Sequence, residues 1–275
     1  DHRDLPSFPT RRSSDLEYNS KMSTKKISAN VVNVICMKWG DKFGPEYVNR
    51  LYGMVARNLT LDFRFICFTE VQKGIRPEVE IQPLPELDIP EGLHERGWMK
   101  LTLYAENFGN LSGPTLFLDL DVVIVGSIDC LFEYEAEFAI VHDKHRPARM
   151  IGNSSVFRFE IGRYPHILKN FTDNFVEIRK QFRHEQAYLS SEIRKLGILK
   201  FWPDDWCPSF KYHCVPSWPK SWFQSPRIPE NSRVIIFHGN PNPPDALIGE
   251  SGKWWRRIRP RSEERRVGKE CRSRW

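Results

Sequence analysis

Apolar positions along this chain fall into short runs separated by stretches of helical period. Val31 to Met37 is a brief Val/Ile-rich run and predicts a buried strand. After a loop at Gly40–Gly44, Tyr47, Val48, Leu51, Tyr52, Val55 and Leu59 recur at helical spacing, with Pro45 suited to a first turn. Phe63 to Phe68 predicts a second strand. Residues 77–90 carry four prolines and read as irregular, with a short strand at Val79–Ile81. Met99 to Phe108 reads as a helix with Leu101, Tyr104, Ala105 and Phe108 on one face. Thr115 to Leu120 predicts a third strand, ending in Asp119-Leu120-Asp121, and Val122 to Val125 stays extended.

The second half is more mixed. Phe138–Val141 and Val156–Phe159 read as strands, and Pro165–Phe182 and Glu185–Leu196 as helices. Trp202–Ser225 is rich in Trp and Pro without a period, and Val234–Phe237 is a last buried strand before His238. The opening rhythm of strand, helix, strand, helix, strand predicts an α/β fold, a Rossmann-like sheet flanked by helices in a single domain. Such sheets bind ligands beyond the carboxyl ends of their strands, where Asp119 and Asp121 stand.

Both ends distort the bulk composition. Back-translated, Arg261–Glu270 is the reverse complement of codons for Phe8–Leu16, so both ends resemble translated sequencing-library adapter. Residues 1–16 and 261–275 are therefore expected not to belong to the domain, which is expected over 22–260 with its native frame beginning at Met22. The whole chain has 41 Lys and Arg against 35 Asp and Glu, a formal charge of +6. Half of that excess lies in the C-terminal segment, so the remainder is only mildly basic and a nucleic-acid partner is not expected. No apolar run is long enough to span a bilayer. Cys36, Cys67, Cys130, Cys207 and Cys214 are scattered and read as reduced thiols of a cytoplasmic protein; Cys207 and Cys214 lack the second pair a zinc site needs.

Asp119-Leu120-Asp121 leads the candidate chemistry. Alternation in a strand puts both carboxylates on one side, and two hard oxygen ligands suit Mn²⁺ or Mg²⁺. The surrounding segment, Phe117 to Phe132, resembles the metal-binding segment of family-eight-type glycosyltransferases, a group that includes glycogenin, galactinol synthases and bacterial lipopolysaccharide sugar transferases. Gly97-Trp98-Met99-Lys100-Leu101, Gly152-Asn153-Ser154-Ser155, Glu185-Gln186-Ala187 and Ile236-Phe237-His238-Gly239 resemble further segments of that group, in the same order. Ser155 and Ala187 stand where the family has Gly and a second acid, and the family's Lys-Pro-Trp ending is absent after His238.

The resemblance implies a GT-A-type fold and transfer of a hexose from a nucleotide-sugar donor, a UDP-sugar, to a glycan or glycolipid acceptor, with peripheral membrane contact through that acceptor. It implies Asp119, Asp121 and His238 as metal ligands. Met37, Lys38, Trp39, Lys100, Leu120 and Asn153 would contact the donor. Gln186 would sit beneath the anomeric carbon, with Glu185 as the nearby carboxylate. His142 and Asp143 could line the same cleft, and one or two of Trp202, Trp206, Trp218 and Trp222 could stack on sugar, the rest being core. Two other readings stay open. A haloacid-dehalogenase-like phosphatase also uses Asp-x-Asp after an apolar strand, with Asp204-Asp205 mimicking its late acidic pair. A GT-A module without activity would keep the fold and only bind a partner.

Overall fold

The computed structural model describes residues 31–89, 97–143 and 150–251, which lie within one compact unit. The two terminal segments expected to be foreign lie outside the described residues.

The first strand, β1 (Val32–Lys38), is buried along its whole length. Its alternation serves two cores. Val32, Val34 and Cys36 face one side, and Ile35 and Met37 the other. A strand covered on both faces must be apolar on both, which is why this run shows no polar alternation. Helix α1 (Pro45–Asn58) follows, opened by proline at its first turn, and buries Val48, Leu51, Met54 and Val55 in the first core. Strands β2 (Phe63–Thr69) and β3 (Glu80–Gln82) extend the sheet outward, both parallel to β1.

The segment predicted as a helix over 99–108 is instead a 3-10 helix, Trp98–Tyr104, and a separate short turn, Phe108–Asn110. Nearly all of Trp98–Tyr104 is buried, Lys100 and Thr102 included. A helix with no solvent face has no amphipathic period to read, and Trp98 is fixed from outside by stacking on Phe171 with ring centroids 4.7 Å apart.

Strand β4 (Gly113–Leu118) pairs with β1 on one side and, antiparallel, with β7 (Gly152–Ile161) on the other. Beyond β7 come β6 (Phe138–His142) and the short β8 (Leu199–Phe201), so the seven-stranded order is β3-β2-β1-β4-β7-β6-β8 with β7 the single antiparallel strand. Strand β5 (Val123–Ile124) leaves this sheet and pairs with β9 (Val234–Ile235). The predicted helix over 165–182 is two, α3 (Pro165–Asp173) and α4 (Phe175–Gln181), broken at Asn174, whose side-chain amide donates back to the Asn170 carbonyl at 3.2 Å. Helices α2 (Asp129–Glu133), α5 (Glu185–Lys195) and α6 (Pro243–Ile248) complete the set. Among the described residues no helix is long and apolar enough to cross a membrane.

A buried arginine ties the middle of the fold. Arg158 on β7 donates to the carbonyls of Leu131, Phe132, Tyr134 and Ala136, acceptors at and beyond the end of α2.

Candidate active site

Sheet register brings the acidic pair to the mouth of the fold. Ile35 stands level with Phe117 in the parallel β1–β4 ladder, so two residues on, Met37 stands level with Asp119. Asp119 continues β4's other ladder through a 2.9 Å bond from its amide to the Ser155 carbonyl. The chain then turns, and Asp121 lies in that turn. The two carboxylates are therefore neighbours through a turn at the strand end, and not through the strand alternation the sequence suggested.

Strand β7 is bent where it passes them. Ile140 pairs with Phe157 but Val141 pairs with Asn153, so Ser154, Ser155 and Val156 bulge out of the β6–β7 ladder. Trp202 fills the gap and donates its indole N–H to the freed Val156 carbonyl at 3.1 Å. Gly152 lets the strand return: a Cβ there would lie 2.6 Å from Ile140. Bulges of this kind re-aim side chains, and this one turns the Asn153-Ser154-Ser155 segment toward the acidic pair.

Lys100 links these parts. Its Nζ lies 2.7 Å from Asp119 Oδ1 and donates to the Ser154 carbonyl and hydroxyl at 3.0 and 3.3 Å. Ser154 Oγ in turn donates to Glu185 Oε1 at 2.6 Å. Glu185 is buried at the start of α5 and lies against Gly97, where a Cβ would come within 2.9 Å of its Oε2. Burial pushes the Lys100 ammonium down, but the Asp119 and Glu185 carboxylates outweigh it and raise it above the ordinary lysine value. Asp121 goes the other way from an ordinary aspartate. Desolvation and the neighbouring Asp119 push it up to about 7, and Lys42 and Lys100 counter this only in part.

A cavity of about 250 Å³ adjoins, lined among others by His142, Asp143, Asn153, Trp202, Tyr212 and His238. Asn153 Nδ2 and His238 Nδ1 are 3.4 Å apart across it. His142 and Asp143 thus reach the same cleft as Asn153 and His238. Gln186, half-buried on the first turn of α5, has its carbonyl bonded by Ser190, whose Oγ also accepts from the Gly152 amide at 2.8 Å. Ser190 thereby fastens α5 to β7.

The predicted site residues divide into groups. Lys100, Asp119, Asp121 and Glu185 are joined by contact or charge, with Ser154 as the connecting residue. Asn153 and His238 form a second pair. Met37, Lys38 and Leu120 are buried around the strand ends, and Trp39 packs against the second core. Among the described residues no three His, Cys, Asp or Glu side chains cluster tightly enough to hold a metal by themselves. The carboxylate pair still fits a divalent ion: the donors are hard oxygens, and Asp121 carries unrelieved repulsion that such an ion would remove.

Of the four tryptophans weighed as sugar platforms, Trp202 is buried and lines the cavity, and Trp206 packs partly buried on the first core. Trp218 and Trp222 are exposed, where a core role was expected for most. The described cysteines form no disulfide with one another, and all are buried but the half-buried Cys130. Asp204 and Asp205 are exposed in a turn after β8, and three strands precede β4, whereas the phosphatase reading wants its Asp-x-Asp on the opening strand. Ser154, Ser190 and Lys42 carry site contacts or charge that residue type alone did not single out.

No protein-family model matches the chain, and no curated protein matches it either. Solved structures do. The galactosyltransferase LgtC in complex with donor and acceptor sugar analogues superposes with a TM-score of 0.55 over 88% of this chain and 95% of that one, at 12% identity. An active-site glutamine-to-glutamate mutant of LgtC matches with a TM-score of 0.56 at the same identity and coverage. With its mixed seven-stranded sheet, flanking helices and ligand-side acidic turn, the chain has the GT-A glycosyltransferase fold.

Proposed function

We propose that this protein is a metal-dependent glycosyltransferase that moves a hexose from a UDP-sugar to a glycan or glycolipid acceptor. The observation that carries the reading is the Asp119–Lys100–Ser154–Glu185 chain of contacts, with Asp121 beside it, at the carboxyl ends of β1 and β4. That is where α/β sheets bind nucleotides. LgtC, whose fold it shares, was crystallised with donor and acceptor sugar analogues.

Asp119 and Asp121 would hold Mn²⁺ or Mg²⁺; among the described residues His238 does not cluster with them as the third ligand that the resemblance implied. When bound, such an ion supplies Lewis-acid stabilisation of the departing nucleoside diphosphate. Lys100 directs its N–H donors at Asp119 and Ser154, so it acts as a positioning residue that holds the Asp119 carboxylate in place. Met37, Lys38 and Trp39, at the end of β1, are placed to form the floor for the nucleotide base, with Leu120 beneath the turn. Asn153, on the bulge, orients the sugar. Glu185 is held inward by Ser154, which leaves Gln186 as the α5 side chain for the reacting face, where an amide stabilises oxocarbenium character. The 250 Å³ cavity lined by His142, Asp143 and His238 would receive the acceptor.

Thermal melting with ligands tests the reading. The diphosphate completes a shell that two carboxylates only begin, so Mn²⁺ and UDP should bind with positive and reciprocal coupling. Both at about a hundred times their dissociation constants should stabilise by roughly 2.7 kcal/mol, a shift of roughly 5–10 °C for a domain of this size. Asp121→Ala should abolish the excess over UDP alone. Equal shifts with and without metal would remove the Asp119–Asp121 assignment, and no shift with any nucleotide would favour the inactive-module reading. Release of free nucleotide from a panel of nucleotide sugars with Mn²⁺ then identifies the donor.

A further inference from the structure

Asn153 and Gln186, the residues placed at the sugar and at the reacting face, stand on different elements, and the seam between β7 and α5 sets the gap between them. Strand β4 stops at Leu118, level with Val156, and one residue on the Asp119 amide still reaches the Ser155 carbonyl at 2.9 Å. Strand β7 begins at Gly152, beyond that end. Helix α5 fastens this overhang. Ser154 Oγ donates to Glu185 Oε1 at 2.6 Å, and the Gly152 amide donates to Ser190 Oγ at 2.8 Å. The anchors are paired about the residues they serve. Gly152 and Ser154 flank Asn153 on the strand, and Glu185 and Ser190 bracket Gln186 on the helix.

Ser190 carries the helix side of this arrangement. It is buried and stands four residues after Gln186, so the two share one face of α5. Its Oγ donates to the Gln186 carbonyl at 2.6 Å while it accepts the Gly152 N–H, so the hydroxyl is used in both senses. A helix serine commonly bonds back to the carbonyl four residues earlier, and that bond alone would fasten nothing outside the helix. The Gly152 amide is what ties it to the sheet. Gly152 has little room to shift, because even a Cβ there would lie 2.6 Å from Ile140. Helix propensity by itself favours alanine at position 190. Alanine would fill nearly the same space and would take the hydroxyl acceptor from the buried Gly152 amide.

We propose that Ser190 is a positioning residue of the transfer reaction: through the Gln186 carbonyl and the Gly152 amide it holds Gln186 in register with Asn153 and so sets the pocket for the donor's sugar. The inference rests on the glycosyltransferase reading and on the roles given there to Asn153 and Gln186. Ser190 itself touches no substrate. The nucleotide contacts assigned to Asp119, Asp121 and the end of β1 do not pass through it, so its effect falls on the sugar and the chemical step.

Release of UDP in the presence of Mn²⁺ tests this on the full chain, with whichever of UDP-galactose, UDP-glucose and UDP-N-acetylglucosamine the wild type turns over fastest. A misplacement of about 1 Å costs up to roughly a hundredfold, so Ser190→Ala should lose about tenfold or more in kcat. KM for the nucleotide sugar should change by less than about threefold, because an interaction felt mainly in the transition state moves kcat. Ser190→Thr keeps a hydroxyl that can bond the same carbonyl, and should recover most of kcat. Should the extra methyl not fit, Ser190→Cys, close in size and a weaker hydrogen-bonding group, should fall between serine and alanine. The melting shift with UDP and Mn²⁺ should be the same in every variant. Wild-type kcat in Ser190→Ala, or a loss of kcat together with the UDP shift, would make Ser190 a packing residue; either result overturns the proposal and leaves the glycosyltransferase reading standing. A wild type with no UDP shift, or with no turnover of any of the three sugars, would overturn the reading and the proposal with it.

Discussion

Replacing Lys100 by methionine isolates the one strong electrostatic contact in the site. The side chain keeps its length and apolar packing and loses its charge. What remains is Asp119, formerly 2.7 Å from the ammonium, with Glu185 and Asp121 nearby and the Ser154 carbonyl without its donor. Breaking a buried pair by removing one partner costs about 3–5 kcal/mol, mostly through the stranded charge. The Lys100 and Asp119 side chains are 10 and 25% exposed, so water reaches Asp119 and the cost falls to or just below the lower end of that range, about 2–3 kcal/mol. In a domain of this size that lowers the melting temperature by roughly 5–10 °C. The sign of the pH dependence follows from the raised Lys100 value: its contribution is fully present below the ordinary lysine range and is lost only as pH rises beyond it. The deficit of Lys100→Met against wild type should therefore not shrink for want of lysine charge at neutral pH. The decisive measurement is a double-mutant cycle by urea denaturation at pH 7 with Lys100→Met, Asp119→Asn and both. Removing the stranded carboxylate should restore part of the loss, with a coupling of at least about 1 kcal/mol. A variant that melts within a degree of wild type, or strictly additive substitutions, would show that Lys100 is not the counter-ion of Asp119.

Asp121→Asn should show the opposite behaviour in the metal-free protein. Its folded-state value near 7 against an ordinary 3.8 means the folded state binds more protons between those values, so wild-type stability falls as pH rises through that window. The variant should be the more stable at pH 8, by an amount on the order of 2–4 kcal/mol, and the two should converge near pH 4; parallel denaturation curves across that range would contradict the site's electrostatics. Arg158→Met should destabilise by about 3 kcal/mol, because four buried or half-buried carbonyls at and beyond the end of α2 lose the arginine as a donor; an unchanged urea midpoint would mean water replaces it. Gln186→Ala should lower the transfer rate roughly a hundredfold, the scale of one lost electrostatic stabiliser, while leaving the melting shift with UDP and Mn²⁺ intact; loss of both together would make Gln186 a donor-binding residue instead.

Short apolar runs made the sheet legible. Val31–Met37, Phe63–Phe68 and Thr115–Leu120 each returned as a strand, and β1, β2 and β4 pair in parallel as the opening rhythm implies. Periodicity failed where burial was complete. Trp98–Tyr104 is enclosed on nearly all sides, so its apolar positions carry no preferred face and its 3-10 winding leaves no trace in spacing. It failed again at Asn174, where the side-chain amide donates to both the carbonyl and the side-chain oxygen of Asn170 and competes with the helix. The acidic pair was visible as residue types, yet the turn that joins them was not, because a strand that ends at Leu118 and one that ends at Leu120 look alike in sequence. The contacts among Lys100, Asp119, Ser154 and Glu185 span 85 positions and exist only because β4 and β7 lie side by side and β7 bulges at Ser154. No local pattern encodes such a register. The serine that joins the lysine to the glutamate stood within a quoted motif and gave no sign of its role.

The charge count at this site argues for what it is built to receive. Three carboxylates, Asp119, Asp121 and Glu185, act on a single buried ammonium. Lys100 bonds one of them directly and reaches Glu185 through Ser154, while Asp121 is relieved in part by the more distant pull of Lys42 and Lys100 and by a backbone hydrogen bond. A fold selected for stability alone would replace Asp121 with asparagine, which keeps the shape and sheds the repulsion. The turn that holds it is instead braced by a sheet edge, a bulge and a buried lysine, so that its charge is kept in place at a cost. Surplus negative charge held rigid at the ligand-binding edge of an α/β sheet attracts a cation, and a cation there attracts phosphate. The order of dependence follows: nucleotide should bind this protein weakly without metal, the metal weakly without nucleotide, and substitution of Asp121 should stabilise the empty protein while it destroys the coupling between the two.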